Sequence, residues 1–417
     1  MDQITLLTLG IAGIATFGVI VRPWALPEYI WAIAGAAALV VSGLLPWRDA
    51  LAAASKGSDV YLFLIGMMLL AEIARLEGLF DWLAAHAVRA ARGSAKRLFL
   101  IVYLVGTLTT TFLSNDATAV VLTPAVHAAA TAARVAALPY LFACAFIANA
   151  ASFVLPISNP ANLVIFGAQM PPLAQWLYLF SLPSIAAILV TYVTLRFTQR
   201  RELAQAIHEG VEPPPLSMGG HCVGAAIAIT AVALMAASAF DQPLGLPTFL
   251  CGAGATLAVL AANRKSPAPI LRDIAWGVLP LVAGLFILVE AVGQTGVLQV
   301  VIRHLHDAAA ASPRDASVIS GIIVALLSNL INNLPTGLLA ATIGQSAAVP
   351  IQVTGGLLIG VDLGPNLSVT GSLATILWLI ALRREGEAVT AWQFLKLGIV
   401  IMPPALIAAL LTLAAWI

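Results

Sequence analysis

The chain has 417 residues, of which 61% are hydrophobic and only 9% are charged. A soluble domain carries about 25% charged residues, and no soluble core could bury this much apolar surface, so the composition excludes a soluble protein. The net charge of +1 also argues against nucleic acid as a partner. We therefore predict an all-α polytopic membrane protein.

Apolar runs of about 17–25 residues predict membrane-spanning helices. In the first half of the chain these runs cover residues 4–21, 28–46, 59–77 and 174–198. Residues 78–97 are apolar at helical spacing with basic residues outside the apolar face, which is typical of a helix lying in the membrane interface. Two further apolar segments, 98–134 and 138–170, are interrupted by polar residues.

The second half repeats this plan after the longest polar stretch, residues 199–219. Its uninterrupted helices are predicted at 221–240, 246–263, 274–292 and 393–416, with a short amphipathic segment at 296–307. Its interrupted segments are 315–347 and 352–383. The predicted domains are a first repeat at 1–198, a cytoplasmic linker at 199–219 and a second repeat at 220–417.

The repeat is visible in the residues themselves. The motif SNDAT at 114–118 recurs as NNLPT at 332–336, and the same offset of 218 aligns Gly66, Glu72 and Gly78 with Gly284, Glu290 and Gly296. An offset of 213 aligns Asn149 with Asp362, Ser158 with Gly371 and Asn162 with Thr375. Two copies of one polar break, half a chain apart, indicate a binding site shared by two halves of a transporter.

The basic residues predict the orientation. If 98–134 and 315–347 are re-entrant hairpins, each half crosses the membrane five times and the halves are inverted. With both termini outside, only Arg48, Lys56, Arg303 and Arg314 of the 20 lysines and arginines lie outside. The other sixteen are cytoplasmic, as the positive-inside rule requires. We expect a multi-pass protein of the cell inner membrane with periplasmic termini.

Non-helical backbone inside a membrane must line a cavity or be buried in protein. The hairpin tips and interrupted helices expose N–H groups at one helix end and C=O groups at the other, beside Asn, Ser and Thr side chains. Such a site suits a small polyhydroxylated solute, or a small anion together with sodium. The predicted substrate-binding residues are Ser114, Asn115, Thr118, Ser158, Asn159, Asn162, Asn332, Asn333, Thr336, Thr370, Gly371, Ser372 and Thr375.

Two acids lie deep in the predicted membrane, Asp116 at the first hairpin tip and Asp362 in the second interrupted helix. Burial favours the neutral form of a carboxyl group, so each is a candidate proton carrier as well as a candidate helix cap. We favour Asp116, then Asp362. Glu72 and Glu290 are weaker candidates because they lie near helix ends, and Arg75 follows Glu72 at the spacing of an ion pair.

At these residues the chain resembles a known family. FLSNDATAVVLTPAV, LSNLINNLPTG and GVDLGPNLSVTGSLATILWL are similar to the signature segments of bacterial arsenite/antimonite efflux permeases of the ion-transporter superfamily. The resemblance covers essentially the whole chain. It implies a scaffold domain and a transport domain, export of arsenite and antimonite driven by the proton motive force without a cofactor, and in some organisms a soluble ATPase partner.

The chain departs from the family at two places. SNDAT stands where ANDGA is common, and Asn149 stands where relatives have an aspartate in FIADTAS. Asn149 is therefore a polar neighbour of the coupling site, and the role of the missing acid passes to Asp116 or Asp362.

Arsenite near neutral pH is mostly a neutral trihydroxide, which oxygen and N–H groups can bind without thiols. Cys144, Cys222 and Cys251 lie far apart in the sequence, which argues against a soft three-thiolate site. The alternatives are a sodium/proton antiporter or a sodium-coupled anion carrier on the same fold. An intramembrane enzyme is the remote alternative, since neither HExxH nor G-x-S-x-G occurs.

Overall fold

The computed structural model of the protein describes residues 3–205, 207, 215–240 and 242–417. These residues form helices and connecting turns, with no strand among them. Within the described part, seven helices are long and apolar enough to cross a membrane. The predicted all-α polytopic class is therefore confirmed.

Both halves of the chain use one order of elements. In the first half the helices are α1 (Gln3–Val21), α2 (Glu28–Val41), α3 (Trp47–Ser55), α4 (Ser58–Leu76), α5 (Leu79–Ala91), α6 (Ala95–Phe112), α7 (Asn115–Ala117), α8 (Thr123–Ala132), α9 (Leu138–Ala150), α10 (Pro160–Phe166) and α11 (Leu173–Thr198). In the second half they are α12 (Met218–Ala239), α13 (Gly245–Asn263), α14 (Ala268–Asp273), α15 (Val278–Gln294), α16 (Leu298–Ala311), α17 (Pro313–Ile331), α18 (Asn333–Ser346), α19 (Ile351–Leu363), α20 (Leu373–Arg384) and α21 (Ala391–Trp416).

Several predicted helices have different bounds from those expected. The interface helix predicted at 78–97 ends at Ala91, and the first hairpin begins with α6 at Ala95 rather than at residue 98. The helix predicted at 28–46 ends at Val41, because Gly43 takes a left-handed conformation with φ of 73° and stops it. A separate amphipathic helix, α3, follows Pro46. The helix predicted at 274–292 starts at Val278, and the short α14 after Pro267 precedes it. Hydropathy did not reveal α3 or α14 because both are short.

Two-fold symmetry relates the halves. Helix α13 packs against α4, and its counterpart α2 packs against α15. Glycine makes both contacts close: a Cβ on Gly66 would lie 2.3 Å from the carbonyl oxygen of Thr248, and one on Gly284 would lie 2.8 Å from the carbonyl carbon of Ala32. The turns after α4 and α15 also match, with Gly78 and Gly296 at φ of 73° and 75°. The repeat-related glycines of the sequence are thus packing and turn residues.

The helices around the two breaks form a second group. In the first half α6 and α8 form a hairpin through α7 and a π-helical turn, Thr118–Leu122. In the second half α17 and α18 form the equivalent hairpin. The halves interlock: α10 packs against α18, and α20 packs against the π-helical turn. The scaffold of α1–α4 and α12–α15 lies beside this transport group.

A buried carboxylate joins three scaffold elements at one rim. Glu77, directly after α4, accepts hydrogen bonds from Lys265 Nζ at 2.7 Å, Ser217 Oγ at 3.0 Å and Asn263 Nδ2 at 3.2 Å. These donors come from the end of α13 and from the residue before α12. Much of the linker at 199–219 lies outside the described residues, and the domain boundaries at 198 and 220 stay predictions.

The close contact between α4 and α13 gives a first prediction. A Cβ on Gly252 would lie 2.3 Å from the carbonyl oxygen of Gly66, whereas one on Gly254 of the same helix would meet nothing within 4 Å. We expect Gly252→Leu to lower stability by at least about 1–3 kcal/mol through overpacking, and Gly254→Leu to leave it unchanged. Thermal unfolding of both purified variants in detergent measures this. Equal midpoints for the two variants would contradict the packing.

Candidate functional site

Four helix N-termini near the breaks are capped by side chains that the sequence singled out. Ser114 accepts from Ala117 N at 3.3 Å, and Asn159 accepts from Ala161 N at 3.0 Å. Asn332 accepts from Leu334 N at 3.4 Å, and Ser372 accepts from Thr375 N at 3.1 Å. Each cap satisfies one of the four N–H groups that a helix start leaves unpaired. The four caps explain how helices can begin inside a membrane.

The non-helical break of the first interrupted helix is stabilised by the side-chain amide of one residue. Nδ2 of Asn162 donates to the carbonyl oxygens of Ser152, Leu155 and Pro156, at 2.9, 3.2 and 3.3 Å. Oδ1 of Asn162 is buried without a hydrogen-bond partner among the described residues. Ser158 Oγ donates to the Thr111 carbonyl at 3.0 Å and so ties this break to the first hairpin.

The second break is tied to the second hairpin in the same way. The backbone N–H of Asn333 donates to the Gly371 carbonyl at 2.8 Å, and Asn332 Nδ2 donates to the Thr370 carbonyl at 3.1 Å. Thr336 donates to the Asn332 carbonyl at 2.7 Å. The Asn333 Oδ1 atom is buried and unpartnered within the described residues.

The two interrupted helices contact each other reciprocally. Asp362 Oδ1 accepts from Asn159 Nδ2 at 2.7 Å, and Asn149 Oδ1 accepts from Ser372 Oγ at 3.3 Å. Asn149 Nδ2 also donates to Thr375 Oγ1 at 3.5 Å. All five side chains are buried. The structure thus joins predicted site residues from both halves of the chain.

At the first hairpin tip, some side chains are packed inside the protein and others line a cavity. Thr118 is fully buried, and its hydroxyl lies 2.8 Å from that of Thr110, while Asn115 Oδ1 accepts from the Asp116 N–H at 2.9 Å. Ser114 and Asp116 line a cavity of about 90 Å³ between the tip and α4. Two spaces border the second tip. One of about 10 Å³ is lined by Asn332 and Thr370, and an apolar one of about 370 Å³ is lined by Ile331 and Pro335. Asp116 therefore lines a cavity, whereas Asp362 is fully buried, and the residue of the second tip that is repeat-related to Asp116 is Leu334.

The cavity beside the first tip is lined mainly by apolar residues, and its charged lining residues are all acidic. Its lining includes the carboxyl groups of Glu72, Asp116 and Asp273 and no basic side chain. Arg75 lies next to it, paired with Glu72 and, at 2.9 Å, with Asp273. On the opposite side of the scaffold, Glu290 pairs with Lys56 at 2.7 Å. Glu290 thus joins neighbouring scaffold elements, whereas Glu72 pairs within α4 with Arg75, as the Glu72–Arg75 spacing indicated, and Arg75 reaches α14 through Asp273.

Other candidate groups lie apart from the site. Cys144 is buried in α9, Cys222 is exposed and Cys251 is half-buried. Within the described residues, no group of three His, Cys, Asp or Glu side chains could hold a metal ion. His127 in α8 lies 3.3 Å from Glu385 and 3.8 Å from Glu387.

Two asparagines of the site were not among the predicted residues. Asn366 donates to the Phe146 carbonyl at 3.0 Å and accepts from Asn149 Nδ2 at 3.0 Å. Asn329 donates to the Gly364 carbonyl at 2.9 Å and accepts from Ser368 Oγ at 2.7 Å. The Gly-Pro-Asn sequence at 364–366 was a signal for Asn366. Asn329 lies within an apolar helix, and only the neighbouring break explains it.

Paired hairpins and interrupted helices inside a helical membrane protein define a membrane transporter. The model of the citrate transporter family, CitMHS, matches residues 17–365, and the chain belongs to this family.

Several individual proteins are similar to the chain. An arsenical pump membrane protein of Escherichia coli strain K12 is 27% identical over 372 residues, covering 84% of each protein. One from Yersinia enterocolitica is 28% identical over 362 residues, again 84% of each. Among solved structures, the Neisseria gonorrhoeae antimetabolite efflux pump MtrF has a TM-score of 0.60 at 11% identity, covering 100% of this chain and 95% of that one. The Alcanivorax borkumensis YdaH transporter has a TM-score of 0.55 at 15% identity, covering 100% and 98%.

The cavity gives the second prediction. Ser114 lines it, whereas Ser372 is fully buried. In a chain whose three cysteines are replaced by serine or alanine, we expect Ser114→Cys to react with a small cationic methanethiosulfonate at least about tenfold faster than Ser372→Cys, because thiol reactions require access. Mass spectrometry of the labelled protein measures the two rates. Equal rates would show that the cavity does not distinguish the two positions.

Proposed function

We propose that the protein exports arsenite and antimonite from the cytoplasm in exchange for protons. The observation that carries the proposal is a set of three buried acceptor oxygens without partners among the described residues: Asn162 Oδ1, Asn333 Oδ1 and Asp362 Oδ2. They belong to helices in mutual contact, since α10 packs against both α18 and α19. A buried acceptor without a donor is costly, so these oxygens favour a ligand that donates hydrogen bonds.

Trihydroxides of arsenic and antimony match this requirement. Each is neutral near neutral pH and carries three O–H donors, so acceptor oxygens bind it without a counter-ion. The arsenical pump membrane proteins at 27% and 28% identity support the same substrate class. A trianion such as citrate would instead meet the acidic residues Glu72, Asp116 and Asp273 in the cavity beside the first hairpin tip, which disfavours it.

Two carboxyl groups are the proposed proton carriers, and their surroundings favour different tasks. Asp116 borders the cavity and makes no side-chain hydrogen bond within the described part of the chain, which suits exchange of a proton with water. Asp362 is buried at the contact between the repeats. The coupling is then an exchange in which protons move inward as one trihydroxide moves outward.

The proposed setting is the cell inner membrane, with both termini outside. In this orientation the cavity beside the first hairpin tip faces the cytoplasm, because its lining includes Glu72 and Asp273, which pair with Arg75 at the proposed cytoplasmic end of α4. Lipid surrounds the helices, and a soluble ATPase on the cytoplasmic side is a further proposed partner. The orientation predicts that Ser114→Cys reacts with the impermeant cationic reagent in inverted vesicles and not in intact cells.

The competing function on this fold is sodium/proton antiport or a sodium-coupled anion carrier. Oxygen-rich helix ends also suit sodium, so the transport assay must include it as a variable. A dependence of arsenite uptake on a sodium gradient, or sodium/proton exchange without arsenite, would favour this alternative.

Inverted vesicles provide the third prediction. With ATP and sodium absent, an imposed pH gradient, acid inside, should drive arsenite uptake by the unmodified protein. Asp116→Asn should keep arsenite counterflow, and Asp362→Asn should keep it with affinity up to about tenfold lower, because the amide replaces one acceptor oxygen. Both should reduce pH-driven uptake, because the amide cannot bind the exchanged proton. Asn333→Ala provides the contrast, since losing one hydrogen bond to a neutral solute costs about 0.5–1.5 kcal/mol, up to about tenfold in affinity, with coupling intact.

The outcomes separate the possibilities. Full pH-driven uptake in both aspartate variants would exclude them as carriers and leave Glu72, Glu290 and His127 as the next candidates. If the unmodified protein moves no arsenite, the proposed substrate is wrong.

The cysteines give the fourth prediction. Replacing Cys144, Cys222 and Cys251 together by Ala should leave arsenite export unchanged, because the proposed site binds through oxygen and N–H groups. Arsenite resistance of a sensitised host measures export, with membrane abundance as the control. Loss of resistance at normal abundance would exclude the thiol-free site.

A further inference from the structure

The two interrupted helices contact each other through positions that are equivalent in the two repeats. Asn149 and Asp362 are each the last residue but one of the first half of an interrupted helix. They are 213 residues apart, as are their partners Asn159 and Ser372, which cap the second halves. Asp362 accepts from Asn159 of the other repeat, and Asn149 accepts from Ser372 of the other repeat. One of the two equivalent positions therefore carries a carboxyl group and the other an amide.

The partner of Asp362 has a fixed orientation. Asn159 Oδ1 accepts from the backbone N–H of Ala161 at 3.0 Å, so its Nδ2 is turned towards Asp362 Oδ1. The other carboxyl oxygen, Oδ2, is buried and unpartnered among the described residues. This oxygen is free to carry a proton while Oδ1 keeps its hydrogen bond.

Charged groups are absent around Asp362 on most of the helices that contact α19. Helices α9, α10 and α18 contain no Asp, Glu, Lys, Arg or His, and their titratable side chains are Tyr140 and Cys144, both uncharged at neutral pH. Helix α17 runs parallel to α19, with a Cβ on Gly360 lying 2.3 Å from the Gly321 carbonyl.

Charged residues occur only towards the ends of the remaining neighbours: Arg314 and Asp315 on α17, Arg196 on α11, and Lys396 on α21. On α17, Arg314 lies about nine residues before the point of the helix that is beside Asp362, a separation of roughly 13 Å along the helix axis. A carboxylate with no cation beside it is costly when buried, so a bound proton stabilises Asp362.

The surroundings of Asn149 would hold a protonated carboxyl group equally well. Asn366 Nδ2 donates to the Phe146 carbonyl, which turns its Oδ1 towards Asn149 Nδ2. Position 149 must therefore donate to Asn366 and accept from Ser372. A protonated carboxyl group does both, whereas an ionised one would set an oxygen against the oxygen of Asn366.

We propose that positions 149 and 362 are equivalent proton sites, and that the number of carboxyl groups at this pair sets how many protons it contributes per exported solute. In this chain the number is one, carried by Asp362. In each cycle a proton from the outside binds Asp362 and leaves to the cytoplasm, while one neutral trihydroxide leaves in the opposite direction. The inference rests on the proposed exporter function and adds the proton count to it.

The test measures the arsenite gradient that a pH gradient balances at zero net flux, in proteoliposomes with the membrane potential clamped at zero. The imposed pH gradient is about one unit, a tenfold difference in proton concentration. For each proton exchanged per arsenite, this gradient balances an arsenite gradient of about tenfold. Relative to the unmodified protein, Asn149→Asp should raise the balanced ratio about tenfold and Asp362→Asn should lower it about tenfold. A proton carried by Asp116 would contribute equally to all variants and leave these differences unchanged.

The double variant Asn149→Asp/Asp362→Asn is the decisive control. It moves the carboxyl group to the equivalent position and should restore the unmodified ratio. Ser320→Ala, a buried hydroxyl outside the contact, should leave the ratio unchanged. An unchanged ratio in Asn149→Asp, or a double variant that stays at the Asp362→Asn ratio, would overturn the proposal.

A second measurement does not depend on arsenite transport. The infrared band of a protonated carboxyl group at neutral pH should disappear in Asp362→Asn and reappear, shifted, in the double variant. If the unmodified protein moves no arsenite yet shows this band pattern, the proposed substrate fails while the equivalence of the two positions stands. If arsenite transport is present and the band is unaffected by Asp362→Asn, the proton site is wrong. If Asp362→Asn does not fold, Asp362→Ser replaces it in both measurements.

Discussion

The architecture depends on satisfying backbone that leaves helical geometry inside a membrane. Each interrupted helix exposes N–H and C=O groups where lipid offers no partner. Here the partners are side chains: four caps at helix starts, and the amide of Asn162, which donates to three carbonyl groups of the first break. In the second break Asn329 has a comparable role, donating to the Gly364 carbonyl. The polar residues are therefore structural first, and the oxygens that remain unpartnered are left for function.

Inverted repeats make these contacts reciprocal without making them identical. Asp362–Asn159 and Asn149–Ser372 occupy equivalent places, yet one contains a carboxyl group and the other does not. The hairpin tips differ as well: Asp116 lines the space beside the first tip, and the repeat-related Leu334 lines a space beside the second. The repeated fold thus contains an asymmetric arrangement of charge, which suits the proposed exchange of protons for a solute.

The acids divide according to their partners. Glu72, Glu77 and Glu290 accept from Arg75, Lys265 and Lys56. The pairs of Glu77 and Glu290 join different scaffold elements, and the pair of Glu72 lies within α4. Asp116 and Asp362 make no ion pair within the described residues, and both lie at the breaks. A buried carboxyl group without a cation has a cost that a structural role does not explain. The contrast between paired and unpaired acids is therefore the physical ground for choosing Asp116 and Asp362 as the proposed proton carriers.

The sequence by itself determined the membrane class, the repeat and the location of the breaks, because hydropathy and repeated polar motifs are local properties. It identified Ser114, Asn159, Asn332 and Ser372, which the structure shows as the four caps. It did not reveal α3 and α14, which are too short for a hydropathy signal, or the role of Asn329 inside an apolar helix. Only the tertiary structure decided that Asp362 lies against Asn159 while Asn149 lies against Ser372, more than 200 residues away in each case. Such pairing depends on how the two repeats interlock, and no local pattern in a chain encodes which distant side chains a two-fold arrangement brings together.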